Sequence, residues 1–443
     1  MDIAVIGAGI SGLGAAWALS ARHRVTLFDA GRQPGGHAHT VLADTARGPR
    51  RVDTGFIVYN TRTYPHLVRL FDALGVQSVA SRMSFSVSLN RGAREYAGSL
   101  PGLAAQPSNL ARPRHWRMVR DLLRFYREVP AVLDDPAGDG ETLGAYLTRH
   151  GYSAAFAEDH LLPMAAAIWS APSAEVRAFP MASFVRFLVN HGLLNIRDRP
   201  RWYTVAGGSD TYVQAVLAGL PGTVRTRTPV HAVRRRPEGA RVDSAFAENE
   251  RFDQVVFATH ADQALALLGA DAGDAEREVL GRVRYARNRA VLHTDPTLMP
   301  RRRRVWSSWN YLANAAQRGD HNVAVTYWMN SLQRLRGPDV FVSLNPLPEP
   351  ELARKHADLT YDHPILDGAA LAAQRRLPDI QGANGTWFCG AWCGFGFHED
   401  GLESGLAVAS ALGAAPPWPD DAPWVSPAAF ACTPRARDAR AAA

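Results

Sequence analysis

The sequence predicts an α/β protein in which a parallel-sheet domain is assembled from separated pieces and a second domain is mixed α+β. Three observations predict it. The apolar run Asp2–Ile6 leads into Gly7-Ala8-Gly9-Ile10-Ser11-Gly12, then an apolar-periodic helix over about residues 10–20, then a strand Arg24–Phe28 that ends in Asp29. Val255-Val256-Phe257-Ala258-Thr259 and a helical run over 262–268 form another βα unit far along the chain. Residues 386–412 repeat the pattern a third time, as a strand, a loop rich in glycine and aromatics, and a helix from about residue 401.

The first unit is a complete Rossmann-like dinucleotide-binding unit: strand, glycine turn, helix, strand, acid. Gly7 permits the tight turn off the strand. Gly9 has no side chain, so a pyrophosphate can lie against the backbone of Ala8, Gly9 and Ser11, and Gly12 lets the helix approach the sheet. The helix N-terminus offers free N–H groups and the positive end of its dipole. Asp29 can accept from both hydroxyls of an adenosine ribose and would repel a 2′-phosphate, so FAD or NAD is favoured over NADP.

The next stretch, Pro34-Gly35-Gly36-His37-Ala38-His39-Thr40, lets the chain pass close to a bound cofactor. Together the Gly7/Gly9/Gly12 turn, Asp29 and the Gly35-Gly36 pair resemble the N-terminus of the flavin-containing amine oxidase and phytoene desaturase superfamily. That resemblance implies FAD, and an amine oxidase-like architecture of two domains. In many members an Arg follows the glycine pair; here His37 stands there, with Thr40 three residues on.

At 443 residues the chain is long enough for two domains that bury about three quarters of the unfolded surface. Apolar content of 47% and charged content of 21% suit a globular protein, and no run reaches the ~18 apolar residues of a membrane span. The chain opens directly on its first strand, leaving no room for a signal peptide. Three cysteines, Cys389, Cys393 and Cys432, make no disulfide framework. A cytoplasmic location is expected. The net charge of +7 is carried almost wholly by arginine, Lys355 being the sole lysine. Such usage is discounted as a nucleic-acid signal, although it leaves contact with an anionic inner membrane face open.

In chain order, residues 47–52 read as a hairpin tip before the β-rich segment 52–60. In the superfamily the corresponding strand passes near the flavin ring, which makes Thr54, Gly55 and Phe56 its expected lining; a core strand bulged at Gly55 is the plain alternative. Residues 64–74 read as an amphipathic helix closed by Gly75, and 83–89 and 94–96 as strands of a second sheet. Residues 116–132, 142–150, 154–168 and 181–190 carry helical spacing and read as a substrate-domain insertion. Its aromatics, with Trp169, Phe184, Phe187, Trp202 and Tyr203 foremost, suit either an apolar tunnel or core packing. Residues 202–209 read as a turn returning the chain to the cofactor domain, with a helix over 211–220 and strands at 224–233, 241–245 and 254–258. Val230 sits where the superfamily contacts adenine. Residues 284–293, 303–309, 323–329 and 340–344 read as strands of the substrate-domain sheet. The expected division is 1–62, 204–270 and 364–413 for FAD, 63–203 and 271–363 for substrate, and a loose tail at 414–443.

The last glycine-bearing stretch resembles the superfamily's C-terminal FAD motif, which implies flavin contacts from Gly390, Asp400, Gly401 and Leu402. Ala391 replaces a common acid. The dipole of the helix start would stabilise negative charge on reduced flavin. Segments 53–60, 168–170, 190–194, 306–311 and 394–401 look like one bacterial subgroup of FAD-dependent oxidoreductases associated with cyclopropane fatty acid synthase-like enzymes. That association implies a lipid substrate.

His398, Glu399 and Asp400 flank this helix start and are the foremost acid–base candidates, with His191 and Tyr203 next. Amine oxidases of the superfamily often place a lysine near N5, and the polar setting Arg354-Lys355-His356 reads as solvated. His37 and His39 lack a third partner, so no metal site is expected. Three functions follow: an FAD oxidoreductase that desaturates or isomerises a hydrophobic, fatty acyl substrate by hydride transfer; a flavin amine oxidase; or a non-catalytic flavoprotein partner of a lipid-modifying enzyme.

Overall fold

The computed structural model describes residues 1–134, 140–169, 173–190, 192–195, 199–313, 324–418 and 423–424. Two sheets organise it, and the fold class is the one predicted. The first is a five-stranded parallel sheet in the order Thr223–Arg225, Arg24–Phe28, Asp2–Ile6, Gln254–Phe257, Thr386–Phe388. Asp2–Ile6 lies at its centre with Ile3, Ala4, Val5 and Ile6 buried, because it is flanked by strands on both edges and by helices above and below. The first helix, Ile10–Leu19, is buried at nearly every position. It lies between this sheet and the last helix, His398–Ala411, and its run of small residues is what lets both approach.

The second sheet has seven strands, in the order Lys355–Ile365, Arg284–His293, Phe341–Leu344, Ala324–Trp328, Trp309–Ala313, Phe85–Leu89, Arg94–Ala97. Its core, with Val87, Leu292 and Val342, is continuous with the helical insertion through Phe125, Phe156, Phe184 and Phe187. A three-stranded antiparallel sheet, Tyr59–Asn60, Trp202–Val205 and Ser78–Ala80, ties the entry to that insertion to its exit.

Several expectations are corrected. Residues 52–60 are not one strand: Gly48–Asp53 pairs back on Thr40–Thr45, and a loop precedes Tyr59–Asn60. Residues 303–309 are not a strand either; a 3-10 turn at Arg303–Val305 leads to Trp309–Ala313. The last helix starts at His398, three residues early, because the Asp400 carboxylate accepts from the Phe397 N–H at 2.8 Å and caps the first turn. The helix expected over 154–168 is wound into a wider π turn at Ala157–Leu161. No strand is expected from the sequence at Lys355–Ile365, which forms an eleven-residue strand.

The tail begins docked rather than loose. Trp418 stacks on Trp17, ring centroids 5.6 Å apart, and its indole N–H donates to His66 Nδ1 at 3.2 Å. Cys432, Ser170 and the tail past residue 424 lie outside the described residues.

Candidate flavin site

Two helix N-termini from opposite ends of the chain meet at the carboxyl edge of the parallel sheet. An added Cβ at Gly401 would stand 2.8 Å from Ile10 Cγ2 and 2.9 Å from Ser11 Oγ, and one at Gly405 only 2.2 Å from the Ser11 carbonyl. No residue but glycine lets the helices come this near. Leu402, expected at the cofactor, instead buries its side chain against Gly14 of the first helix, and the Gly390 N–H donates to Ser404 Oγ at 2.9 Å.

The first turn keeps an open cradle. Gly7 has φ +102° and packs under Ala258. A Cβ on Gly12 would stand 1.8 Å from the Gly7 carbonyl, whereas one on Gly9 meets nothing within 4 Å. No side chain caps the first helix. Asp29 lies at the rim, where Oδ2 accepts from the Ala8 N–H at 2.8 Å and Oδ1 from the Gly31 N–H at 2.7 Å. Burial raises its pKa. The Thr228 N–H donates to the Asp29 carbonyl, which sets Val230, two residues on, beside that rim.

Gly35 closes the cradle by donating to the Ala8 carbonyl at 2.7 Å, and Gly36, at φ +57°, brings its backbone against Gly9. The chain then runs beside residues 54–56: the Phe56 N–H donates to the His37 carbonyl at 2.7 Å and the Thr54 N–H to the His39 carbonyl at 2.9 Å. A Cβ on Gly55 would strike the His37 carbonyl at 2.3 Å, so the glycine serves this close pairing. Thr40, expected at the cofactor, donates through Oγ1 to Asp53 Oδ1 at 2.6 Å. Asp53 is fully buried and also accepts from the Ser209 N–H and hydroxyl and from Gln333, which locks the hairpin to the 202–209 return; burial pushes its carboxyl up to about 6.

The most distinctive feature is a group of five histidines. His37 lies 4.9 Å, ring to ring, from Tyr361 and 5.4 Å from His363. The Tyr361 hydroxyl bonds His39 Nδ1 at 3.0 Å and Thr54 Oγ1 at 2.7 Å. His363 Nδ1 bonds the Asn288 amide at 3.0 Å, and His260 stacks on Tyr285 at 4.3 Å. His398 stacks flat on Phe56, centroids 3.7 Å apart, with Nε2 2.7 Å from the Tyr212 hydroxyl. Burial drives His398 down to about 3 and His363 to about 4. His37 lies well below its ordinary value, from burial and then from repulsion by His363, His260 and His398. The group is therefore neutral, and His37 Nε2 is buried without a hydrogen-bond partner.

Sequence reasoning missed His260, Tyr285, Tyr361 and His363. A signal for the last two was present: Ala357, Leu359, Tyr361 and His363 alternate with Asp358, Thr360 and Asp362, the period of a strand. The structure also corrects Glu399, whose carboxylate accepts from the His66 and Leu67 N–H groups at 2.7 and 3.0 Å and so caps the helix Pro65–Leu74. Tyr203 lies on the small sheet with its ring 6.0 Å from Tyr59. His191 lies outside the described residues. Lys355 Nζ pairs with Asp358 at 3.1 Å and Glu349 at 3.5 Å. It opens the strand whose sixth and eighth following residues are Tyr361 and His363, which puts it about 20 Å from the Tyr361 position.

Each lowered histidine resists protonation in the fold but not in the unfolded chain. Its stability contribution is complete above 6.5, the ordinary value, and is lost as pH falls toward the folded one. Asp53 works the other way, its contribution being present below 3.8 and lost as pH rises through about 6. The histidines outnumber it. His398 and His363 should each remove on the order of 1 kcal/mol per pH unit below their ordinary value. Urea unfolding at about pH 7.5 and about pH 5.5 checks this: the midpoint should fall at the lower pH, and His363→Asn should reduce the drop.

The open cradle at Gly9, the uncapped first helix and the unpartnered His37 Nε2 fit a bound FAD. The family model described as flavin containing amine oxidoreductase matches residues 10–287. A CLA-producing fatty acid isomerase from P. acnes shares the fold at a TM-score of 0.64 and 15% identity, over 91% of this chain and 96% of that one. A putrescine oxidase variant redesigned in cofactor binding superposes at 0.67 and 14% identity, over 92% and 98%. Cyclohexylamine oxidase from Brevibacterium oxydans does so at 0.64 and 17% identity, over 93% and 99%.

Proposed function

This chain belongs to the flavin containing amine oxidoreductase family, and from that premise we propose that it desaturates or isomerises a hydrophobic substrate, a fatty acyl chain. FAD bound between the two helix starts supplies the two-electron hydride acceptor. The observation that carries the reading is a run of packed aromatic rings that ends one residue before His398. Trp169 lies 4.5 Å, ring to ring, from Phe187, which stacks on Phe397 at 5.1 Å, and Phe397 directly precedes His398. An apolar run of this kind, where it opens, suits an alkyl chain better than a cation.

The residues at its end are neutral. Tyr212 holds the His398 ring by one nitrogen and Phe56 holds it by its face, so a base is positioned without a charge. His37 Nε2 is a buried polar atom without a partner, and Tyr361, fixed by His39 and Thr54, can orient a polar group of the substrate. Phe184 and Phe187 are fully packed, so entry of a chain requires these rings to move. The likeness to the subgroup associated with cyclopropane fatty acid synthase-like enzymes, and the fold shared with a fatty acid isomerase, support the same substrate class. Flavin amine oxidase is the second reading, since amine oxidases share the fold. The acid-paired Lys355 counts against it.

The test is anaerobic mixing of the flavin-loaded protein with unsaturated fatty acids, phospholipids or amines, followed by flavin absorbance and by mass spectrometry of double-bond positions. Bleaching or a shifted double bond with acyl substrates is expected. Bleaching by amines alone overturns the proposal in favour of an amine oxidase. No change with any substrate overturns it in favour of a non-catalytic partner.

A further inference from the structure

We propose that the arginine-rich helix of the insertion, Pro113–Glu128, docks this protein on an anionic phospholipid surface, with a pocket at its N-terminus taking a headgroup phosphate. The proposal goes beyond the reaction and stands whichever substrate the flavin oxidises.

The pocket has a volume of about 400 Å³ and is lined by Arg94, Arg112, Arg114 and Arg117, with Asn90 between them. Two carboxylates answer these four cations. Asp159 pairs with Arg94 at 2.6 Å and with Arg114 at 2.8 Å, and Glu158 pairs with Arg114 at 3.1 Å. Arg112 donates to the Ala93 carbonyl and to Asn109 Oδ1, and Arg117 has no carboxylate partner among the described residues. A positive excess of two is therefore held at one place. Arg94 Nε is buried there without a hydrogen-bond partner, a donor left for something the chain does not supply. The helix that starts at the pocket is sixteen residues long, has no side-chain cap and has no acid in its first turn, so its dipole adds to the same field. Arginine forks suit a phosphate.

The outer face of that helix says which phosphate. Trp116, Arg120, Leu123 and Arg127 follow one another at spacings of four, three and four, a single stripe. Trp116 is 52% and Leu123 51% exposed, and the Trp116 indole N–H donates to the carbonyl of Leu110, itself 45% exposed. Arg120 and Arg127 are exposed as well, each with its guanidinium on the carboxylate of the next residue, Asp121 and Glu128, at 3.1 Å. Large apolar side chains held in water beside arginines suit a bilayer interface, where the rings and alkyl groups enter the acyl boundary and the guanidinium groups meet phosphates. The opposite face, with Met118 and Phe125, is buried in the second core, so the helix is anchored and presents only this side. A free phosphate would satisfy the pocket but leave Trp116 and Leu123 unexplained, as would a nucleic acid.

The experiment is flotation of the full-length, flavin-loaded protein with vesicles of phosphatidylcholine alone and of equimolar phosphatidylcholine and phosphatidylglycerol. Three double variants are compared: Arg112→Glu with Arg117→Glu, Trp116→Ser with Leu123→Ser, and Arg234→Glu with Arg236→Glu. The last makes the same charge change on an exposed strand whose arginines pair with Asp243 and Asp271. Each variant's flavin absorbance confirms that it is folded. Binding to the anionic vesicles alone is expected, reduced at least about tenfold by the first pair, several-fold by the second, and under about twofold by the third. Equal binding to both vesicles, or an equal loss in the third variant, overturns the docking surface. So does an absence of vesicle binding, and in that case equilibrium dialysis with inorganic phosphate shows whether the pocket takes a free anion instead.

Discussion

Gly9→Ala should leave the fold intact and strip the protein of its flavin, whereas Gly12→Ala, three residues on, should cost the fold itself. At Gly9 the backbone has φ −72°, a conformation alanine adopts without strain, and an added Cβ meets no protein atom within 4 Å. The methyl group therefore fills only open space, where the proposed site would place a pyrophosphate. Displacing a charged group from backbone donors removes on the order of 3 kcal/mol, roughly a hundredfold in affinity. At Gly12 the methyl carbon would stand 1.8 Å from the Gly7 carbonyl oxygen and 3.1 Å from Ala258 Cβ. The helix must then lift from the sheet and from Gly405 behind it, at a cost of several kcal/mol, roughly 3–5. Flavin absorbance after purification and thermal unfolding followed by circular dichroism separate the two outcomes. A Gly9→Ala protein that keeps its full flavin would show that the pyrophosphate does not lie over this turn.

The second large effect is at His398. His398→Asn should retain FAD and slow anaerobic flavin reduction by 10²–10⁴, roughly what a positioned acid–base group supplies, while Lys355→Met should change the rate less than about threefold. His398 stands in the first turn of the last helix, and its ring is held in a fixed plane by Phe56 and Tyr212. Burial keeps it neutral down to about 3, so its own titration should put no acid limb into the rate near its ordinary value of 6.5. Lys355 is bound to Glu349 and Asp358 with its side chain 19% exposed, at the far end of the strand that carries Tyr361. Stopped-flow reduction of the two variants decides between them. The reverse pattern, with the lysine variant slow and the histidine variant fast, would restore the amine oxidase chemistry.

Much of the scaffold could be read from local chemistry, and the parts that could not share one cause. The first strand, the glycine turn, the first helix and Asp29 lie within thirty residues, and each is dictated by a neighbour in sequence. The third βα unit was found by the same logic, although the helix start was misplaced because the Asp400 cap was not foreseen. Strand 355–365 was missed because its charged alternation masked a period of two, and Tyr361 and His363 were missed with it. Glu399 was chosen for its position beside the helix start, but position along a helix does not say which way a side chain points. It points beneath the helix to His66 and Leu67.

By itself the sequence determined a glycine-bearing strand, turn and helix near each end of the chain, because glycine at a turn and an open helix start act over a few bonds. Only the tertiary structure decided how closely the two helix starts approach, with Gly401 and Gly405 packed against Ile10 and Ser11. It also decided that five histidines from four separate stretches, 37–39, 260, 363 and 398, lie together as one neutral group. The physical reason is that burial and mutual repulsion, which set their charge, arise from packing between segments more than three hundred residues apart.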